Sequence, residues 1–202
     1  MHAQMHRSPS IPSHARSLDI PTTSHVNRMA FSGVLAKIDE PSDAAPEGSG
    51  GRRIMLTMSA AKHALESLLG MGVNFCPTGH APQQKIGIIS AADIIGSEIQ
   101  IKGVIYSADF PEIAEEIKAN KSKFGLSFEA MNVLTSTLNA DILPIEDLAF
   151  TGAAILLRDN AAYRCSSISI ARVGTSAPSN GAKLNSRVAA PRGPLQPRVD
   201  CA

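Results

Sequence analysis

The chain has 202 residues, 44% of them hydrophobic, and 19 basic against 18 acidic side chains leave a formal net charge of +1. That apolar share supports a folded core and excludes disorder throughout, and the near-neutral balance excludes nucleic-acid binding by bulk positive charge. Three cysteines, Cys76, Cys165 and Cys201, stand without metal-ligand spacing, give no disulfide framework and fit a reducing compartment.

Residues 1–27 hold four of the six histidines (His2, His6, His14, His25), no aromatic side chain and a net charge of +1. They are rich in Pro, Ser and Ala and read as a flexible tail. No apolar stretch follows the early His and Arg residues, so no secretory signal is expected there. Residues 29–38 are apolar and β-prone, a predicted strand, and the Pro- and Gly-rich 40–51 is a loop. Ile54, Leu56 and Met58 alternate in a second strand over 53–58. Ser59 is the expected N-cap of a helix whose apolar stripe is Ala61, Leu65, Leu68 and Leu69, ended by Gly70. Lys62, His63 and Glu66 fall on its opposite side.

A short apolar piece at 73–76 precedes the turn-rich PTGHAPQQ. Residues 85–89 and 98–106 read as strands, with SAADIIGS as a turn between them. Asp109 is placed to cap a helix with Pro111 and Glu112 in its first turn and Ile113 and Ile117 inward. After a polar break at 120–123, residues 124–133 alternate. Phe124, Leu126, Phe128 and Ala130 face one way; Gly125, Ser127, Glu129 and Met131 face the other. Further β structure is expected over 138–143 and 148–157, a turn over 158–160, and a closing segment over 161–170. The nearly unbroken apolar run at 148–157 is too short to cross a bilayer. Residues 173–202 carry a net charge of +3 and no aromatic, a second flexible tail, which leaves −3 and all eight aromatic residues to the 28–172 unit. Many short strands with two helices predict a mainly β (α+β) domain, with a closed barrel as the architecture such a pattern can form.

Candidate chemistry lies in that unit. His80, in Thr78-Gly79-His80-Ala81-Pro82, sits in a loop whose flanking Gly and Pro expose the imidazole, and its neutral ring can accept a hydroxyl proton. Ser127 is a small polar residue in an otherwise apolar strand, with Gly125 beside it leaving room for a close approach. Glu129 lies roughly 6–7 Å further along the same face. A serine nucleophile needs a base within reach and a third group to orient that base. No histidine follows Ser127, so a later orienting group must be a carboxylate: Asp141, Glu146, Asp147 or Asp159. Taken alone, local sequence favours the plain readings: a loop histidine, a solvent-facing strand serine, a solvated carboxylate pair at 146–147. Cys76 and His80 have no second pair for zinc, and Cys76 reads as a buried strand cysteine. Gly48, Gly50 and Gly51 lack the lysine-serine of a phosphate loop, and His63 is an exposed helix residue.

These stretches, taken in order, resemble the capsid maturation (prohead) serine proteases of tailed bacteriophages, a group distantly related in fold to the herpesvirus assembly proteases. FSGVLAKID is followed by LLGMGVNFCPTGH ending in His80, by KIGIISAADIIGSEIQIKGVIY, by DFPEIAEEI, by FGLSFEAM with Ser127, and by IEDLAFTGAAILLRDNAAY. The resemblance covers roughly 29–170. It implies a herpesvirus-protease-like β-barrel in a serine endopeptidase, with Ser127 as nucleophile and His80 as general base. It puts the third member at Asp147, with Glu146 as the rival and Glu129 as an outsider, and backbone amides near Gly152 or in the Arg158 turn as oxyanion donors. Implied substrates are the scaffolding protein, the major capsid protein and the chain itself. The implied setting is the assembling procapsid in the host bacterial cytoplasm, from free phage or prophage. No cofactor, metal, nucleic acid or membrane is called for, and a homo-oligomer is left open. The alternatives are a non-catalytic capsid-assembly or scaffold-type protein, which should show coiled-coil heptads that are not visible here, and a small β-barrel binding module.

Overall fold

The computed structural model describes residues 16–18, 25–137 and 139–170, and within them the chain is mainly β with two short α-helices. In chain order the elements are β1 (Arg16–Ser17), β2 (Met29–Lys37), β3 (Arg53–Leu56), α1 (Met58–Ala64), a 3-10 turn (Leu65–Leu68), β4 (Gly72–Phe75), β5 (Lys85–Ile95), β6 (Glu98–Ile105), α2 (Pro111–Asn120), β7 (Phe124–Leu134), β8 (Ile142–Ile145), β9 (Asp147–Leu157), a 3-10 turn (Arg158–Asn160) and β10 (Ser169–Ile170). The principal sheet runs β10-β2-β6-β5-β4-β9-β7, with β1 paired to β5, while β3 and β8 form a separate parallel pair. The predicted tail at 173–202 lies outside the described residues, as do 1–15 and 19–24 of the amino-terminal one. Its described parts lie against the fold: Arg16 and Ser17 pair with Ala92 and Ala91, and Asn27 Nδ2 donates to Asp109 Oδ2 at 2.7 Å.

The sheet curls until β2 and β7 approach each other across residues 166–168. Ser167 ties to β2 through its amide to the Val34 carbonyl (3.2 Å), and Ser166 lies over Gly125 of β7. The space left by the missing side chain of Gly125 is thus filled by the chain's own Ser166. Among the described residues no ladder joins β2 to β7, so the curled sheet is open at this seam, short of the closed barrel that the sequence pattern allowed.

The inner face follows from period-2 alternation of large aliphatics. Leu35, Ile86, Ile89, Ile99, Ile101, Ile105, Phe124, Leu126 and Phe150 are buried in one core with Leu68 of the 3-10 turn and Ile117 of α2. Three local expectations differ from the outcome. The α1 cap is Thr57, not Ser59: its Oγ1 accepts from the Ala60 amide at 3.2 Å and donates to the Ile145 carbonyl at 2.9 Å, a second bond that Ser59 lacks the position to make. SAADIIGS is strand almost throughout, because Ala92 and Ile94 pair with Ile101 and Ile99. The reversal is confined to Gly96, whose φ of 61° suits glycine, and Ser97. α2 has Phe110, not Asp109, at its N-cap and no side-chain cap; the Asp109 carboxylate accepts from Asn27 instead.

Candidate active site

Four strands in sequence across the sheet build the site. Lys85 of β5 pairs with Asn74 of β4, Asn74 with Ala154 of β9, and Ala154 with Ser127 of β7. Directly paired residues share a face, so this row lies on one side of the sheet. One step along, Glu129 pairs with Gly152. The small residues Gly72, Gly152 and Ala154 leave a trough between β4 and β7. A Cβ on Gly152 would stand 2.5 Å from Glu129 Oε2, and one on Gly72 would stand 2.6 Å from Lys85 Cδ. The side chains of Glu129, Asn74 and Lys85 meet in that trough.

The 76–84 loop brings His80 over it. His80 Nε2 lies 3.2 Å from Ser127 Oγ, and Nδ1 lies 3.4 Å from Glu129 Oε1. Ser127 is 8% exposed, and the His80 and Glu129 side chains are 26% and 11% exposed. Lys85 Nζ donates to Glu129 Oε2 at 2.6 Å, and Asn74 Nδ2 donates to Glu129 Oε1 at 2.5 Å. Burial pushes the Glu129 carboxyl up. Hydrogen bonds from His80, Lys85 and Asn74, with the Lys85 charge, more than offset this and hold it down to about 2. An ionised Glu129 only accepts, so in the neutral ring it favours the tautomer with the proton on Nδ1 and the lone pair of Nε2 toward the serine hydroxyl. The arrangement can take a proton from Ser127 Oγ and stabilise the imidazolium that results.

The structure brings His80, Ser127 and Glu129 together and leaves Asp147 and Glu146 elsewhere. Asp147 is seven residues from Ala154, the partner of Ser127, about 23 Å along β9 at 3.3 Å per residue. Its Oδ1 faces His63 Nδ1 at 3.0 Å, a pair with side chains 42% and 78% exposed, and Glu146 Oε1 accepts from Ser136 Oγ at 2.6 Å. The structure thus does not bring Asp147, the expected third member, to His80; the carboxylate that faces His80 is Glu129, the outsider of the three. Position relative to the apolar segment put Asp147 at a strand mouth, but the antiparallel pairing of β7 and β9 carries that mouth to the far end of the sheet. Asp141 and Asp159 are exposed. Of the expected oxyanion donors, the Arg158 amide is already given to the Lys123 carbonyl at 2.9 Å, and Gly152 stands opposite Glu129 rather than Ser127. Cys76 is half-buried, 3.6 Å from Thr78 Oγ1, a contact that lowers its thiol below the ordinary value.

Asn74 and Lys85 were not singled out by the sequence. One signal was there: Asn74 is a polar residue inside the apolar 73–76 run, and it proves fully buried.

No protein-family model matches the chain, and no curated protein matches it. Similar solved structures include the KSHV protease in complex with a hexapeptide phosphonate inhibitor, at 12% identity and TM-score 0.45, over 71% of this chain and 65% of that one. Two structures of Kaposi's sarcoma-associated herpesvirus protease with allosteric inhibitors are also similar. One is at 13% identity and TM-score 0.46 over 71% and 78% of the two chains; the other is at 13% and 0.38 over 63% and 70%. The match spans less than two thirds of the length of the first of these proteases.

Proposed function

We propose that the chain is a serine endopeptidase acting by acyl transfer, with Ser127 as nucleophile, His80 as base and Glu129 as the carboxylate that orients it. The observation that carries this reading is the line from Ser127 Oγ through both nitrogens of His80 to an ionised Glu129. Nε2 takes the hydroxyl proton as Oγ attacks a peptide carbonyl. The imidazolium, stabilised by Glu129, then protonates the leaving amine, and water repeats the cycle on the acyl-enzyme. A non-catalytic assembly protein or a binding module has no use for such a line.

The ordered motifs shared with phage prohead proteases support a narrower reading. The substrates are then the scaffolding protein and major capsid protein of an assembling procapsid in a bacterial cytoplasm, together with the chain's own termini. Segments of that Pro-, Ser- and Ala-rich composition bury little apolar surface, which suits them to cleavage. The test is intact mass after co-expression with the cognate scaffolding protein, for wild type and Ser127→Ala. Cleavage by wild type alone is expected. Cleavage by both overturns the nucleophile, and cleavage by neither overturns the substrate.

A further inference from the structure

We infer that Lys85 and Asn74 are positioning residues that keep Glu129 ionised and aimed at His80, so that the imidazole presents its basic nitrogen to Ser127. This rests on the protease reading and adds to it a fourth and a fifth residue.

The geometry is a two-point hold. Lys85 takes Oε2, and Asn74 takes Oε1, the same oxygen that faces His80 Nδ1. The Asn74 amide cannot turn round. Its Oδ1 accepts from the Ala81 amide at 3.2 Å and its Nδ2 also donates to the Ala153 carbonyl at 3.3 Å, so the NH₂ end must point at Glu129. Asn74 thereby also ties the residue after His80 to the carboxylate that His80 meets. Lys85 reaches Glu129 across β4 and β9 because Gly72 and Gly152 leave its stem and ammonium unobstructed.

The chemical need for the hold follows from burial. A carboxyl this enclosed with a single imidazole for company is driven toward its neutral form. A neutral Glu129 becomes a donor to Nδ1 and sends the ring proton to Nε2, where it blocks acceptance of the serine proton. The charged groups facing Glu129 are His80 from the loop and Lys85 from β5. β4 contributes Asn74, and β9 contributes Gly152 and Ala154, none of which titrates. Lys85 is thus the one cation among the described residues that opposes the neutral form without itself giving up a proton in the reaction.

The test uses the full chain and a fluorophosphonate probe, whose phosphorus bonds to Ser127 Oγ as fluoride leaves and the hydroxyl proton passes to His80. Labelling rates are followed from acid to alkaline pH for wild type, Lys85→Met and Lys85→Arg, each checked by circular dichroism. Lys85→Met is expected to slow labelling by roughly ten- to a hundredfold, to move the acid limb of the profile to higher pH, and to be largely rescued in Lys85→Arg. A purely structural lysine would change melting but not the limb. Labelling of Lys85→Met at the wild-type rate with an unmoved limb overturns the inference while leaving Ser127 as nucleophile. Absence of labelling in wild type overturns the protease reading itself. Should Lys85→Met not fold, Lys85→Gln, which keeps a donor but no charge, carries the same comparison.

Discussion

Ser127 and Glu129 stand two residues apart on one face of β7 and hold opposite nitrogens of a single imidazole, His80, at 3.2 and 3.4 Å. The proposed nucleophile and orienting carboxylate thus come from the same strand, fixed by its pleat rather than by the meeting of distant loops. The 3.4 Å contact is long for a hydrogen bond.

The carboxylate assignment is checked by three variants side by side. Glu129→Gln can no longer fix the tautomer through an ionised acceptor and is expected to slow fluorophosphonate labelling by up to about 10⁴-fold, the scale of losing such a group. Asp147→Asn and Glu146→Gln are expected to label like wild type, since neither reaches His80. A loss in Asp147→Asn matched by none in Glu129→Gln would return the role to Asp147.

Acid stability carries the mark of the same carboxylate. Its ionisation lies at about 2 in the fold against an ordinary 4.5. The stabilisation is therefore complete above the unfolded value and is lost as pH falls from about 4.5 through about 2. Melting temperature of wild type should drop more steeply across that window than that of Glu129→Gln. Parallel slopes would show that Glu129 is not held by its partners.

Two glycine substitutions separate crowding from chemistry. Gly152→Ala puts a methyl 2.5 Å from Glu129 Oε2 and 2.9 Å from the Gly72 carbonyl, whereas Gly79→Ala, next to His80, meets nothing within 4 Å. The first is expected to destabilise by about 1–3 kcal/mol, as overpacked sites do, and to suppress labelling. The second should do neither. The measurements are denaturant midpoints and labelling rates.

Away from the site, Thr57→Ala removes the α1 cap and the tie to Ile145 together. A loss of about 1–2 kcal/mol is expected, with the labelling rate of the folded protein unchanged. A rate that fell with stability would place α1 in contact with the chemistry, which its position beside Asp147 does not suggest.

Much of this was legible in the residues. Alternation around Ser127 put Glu129 on its face, and the Gly/Pro frame marked His80 as a displayed imidazole, because both are short-range patterns. Which carboxylate faces His80 was not legible, because it depends on which strands neighbour β7 and in which direction they run. Asp147 and Ser127 look close when the apolar segment is read as one block, yet antiparallel pairing separates them by most of the length of β9. Lys85 and Asn74 were missed for a related reason: their partner is 44 and 55 residues away in the chain. The turn expected over SAADIIGS failed for a simpler one. Its small residues alternate with Ile94, and pairing with β6 decides the matter where local propensity is weak.

The strand order has one more consequence. β4, which carries Asn74, and β7, which carries Ser127 and Glu129, are not neighbours; β9 lies between them and pairs with both. Until residues 147–157 have been made and inserted, the chain holds a serine without its partners in place. The proposed site can therefore be assembled only once this last long strand is in place.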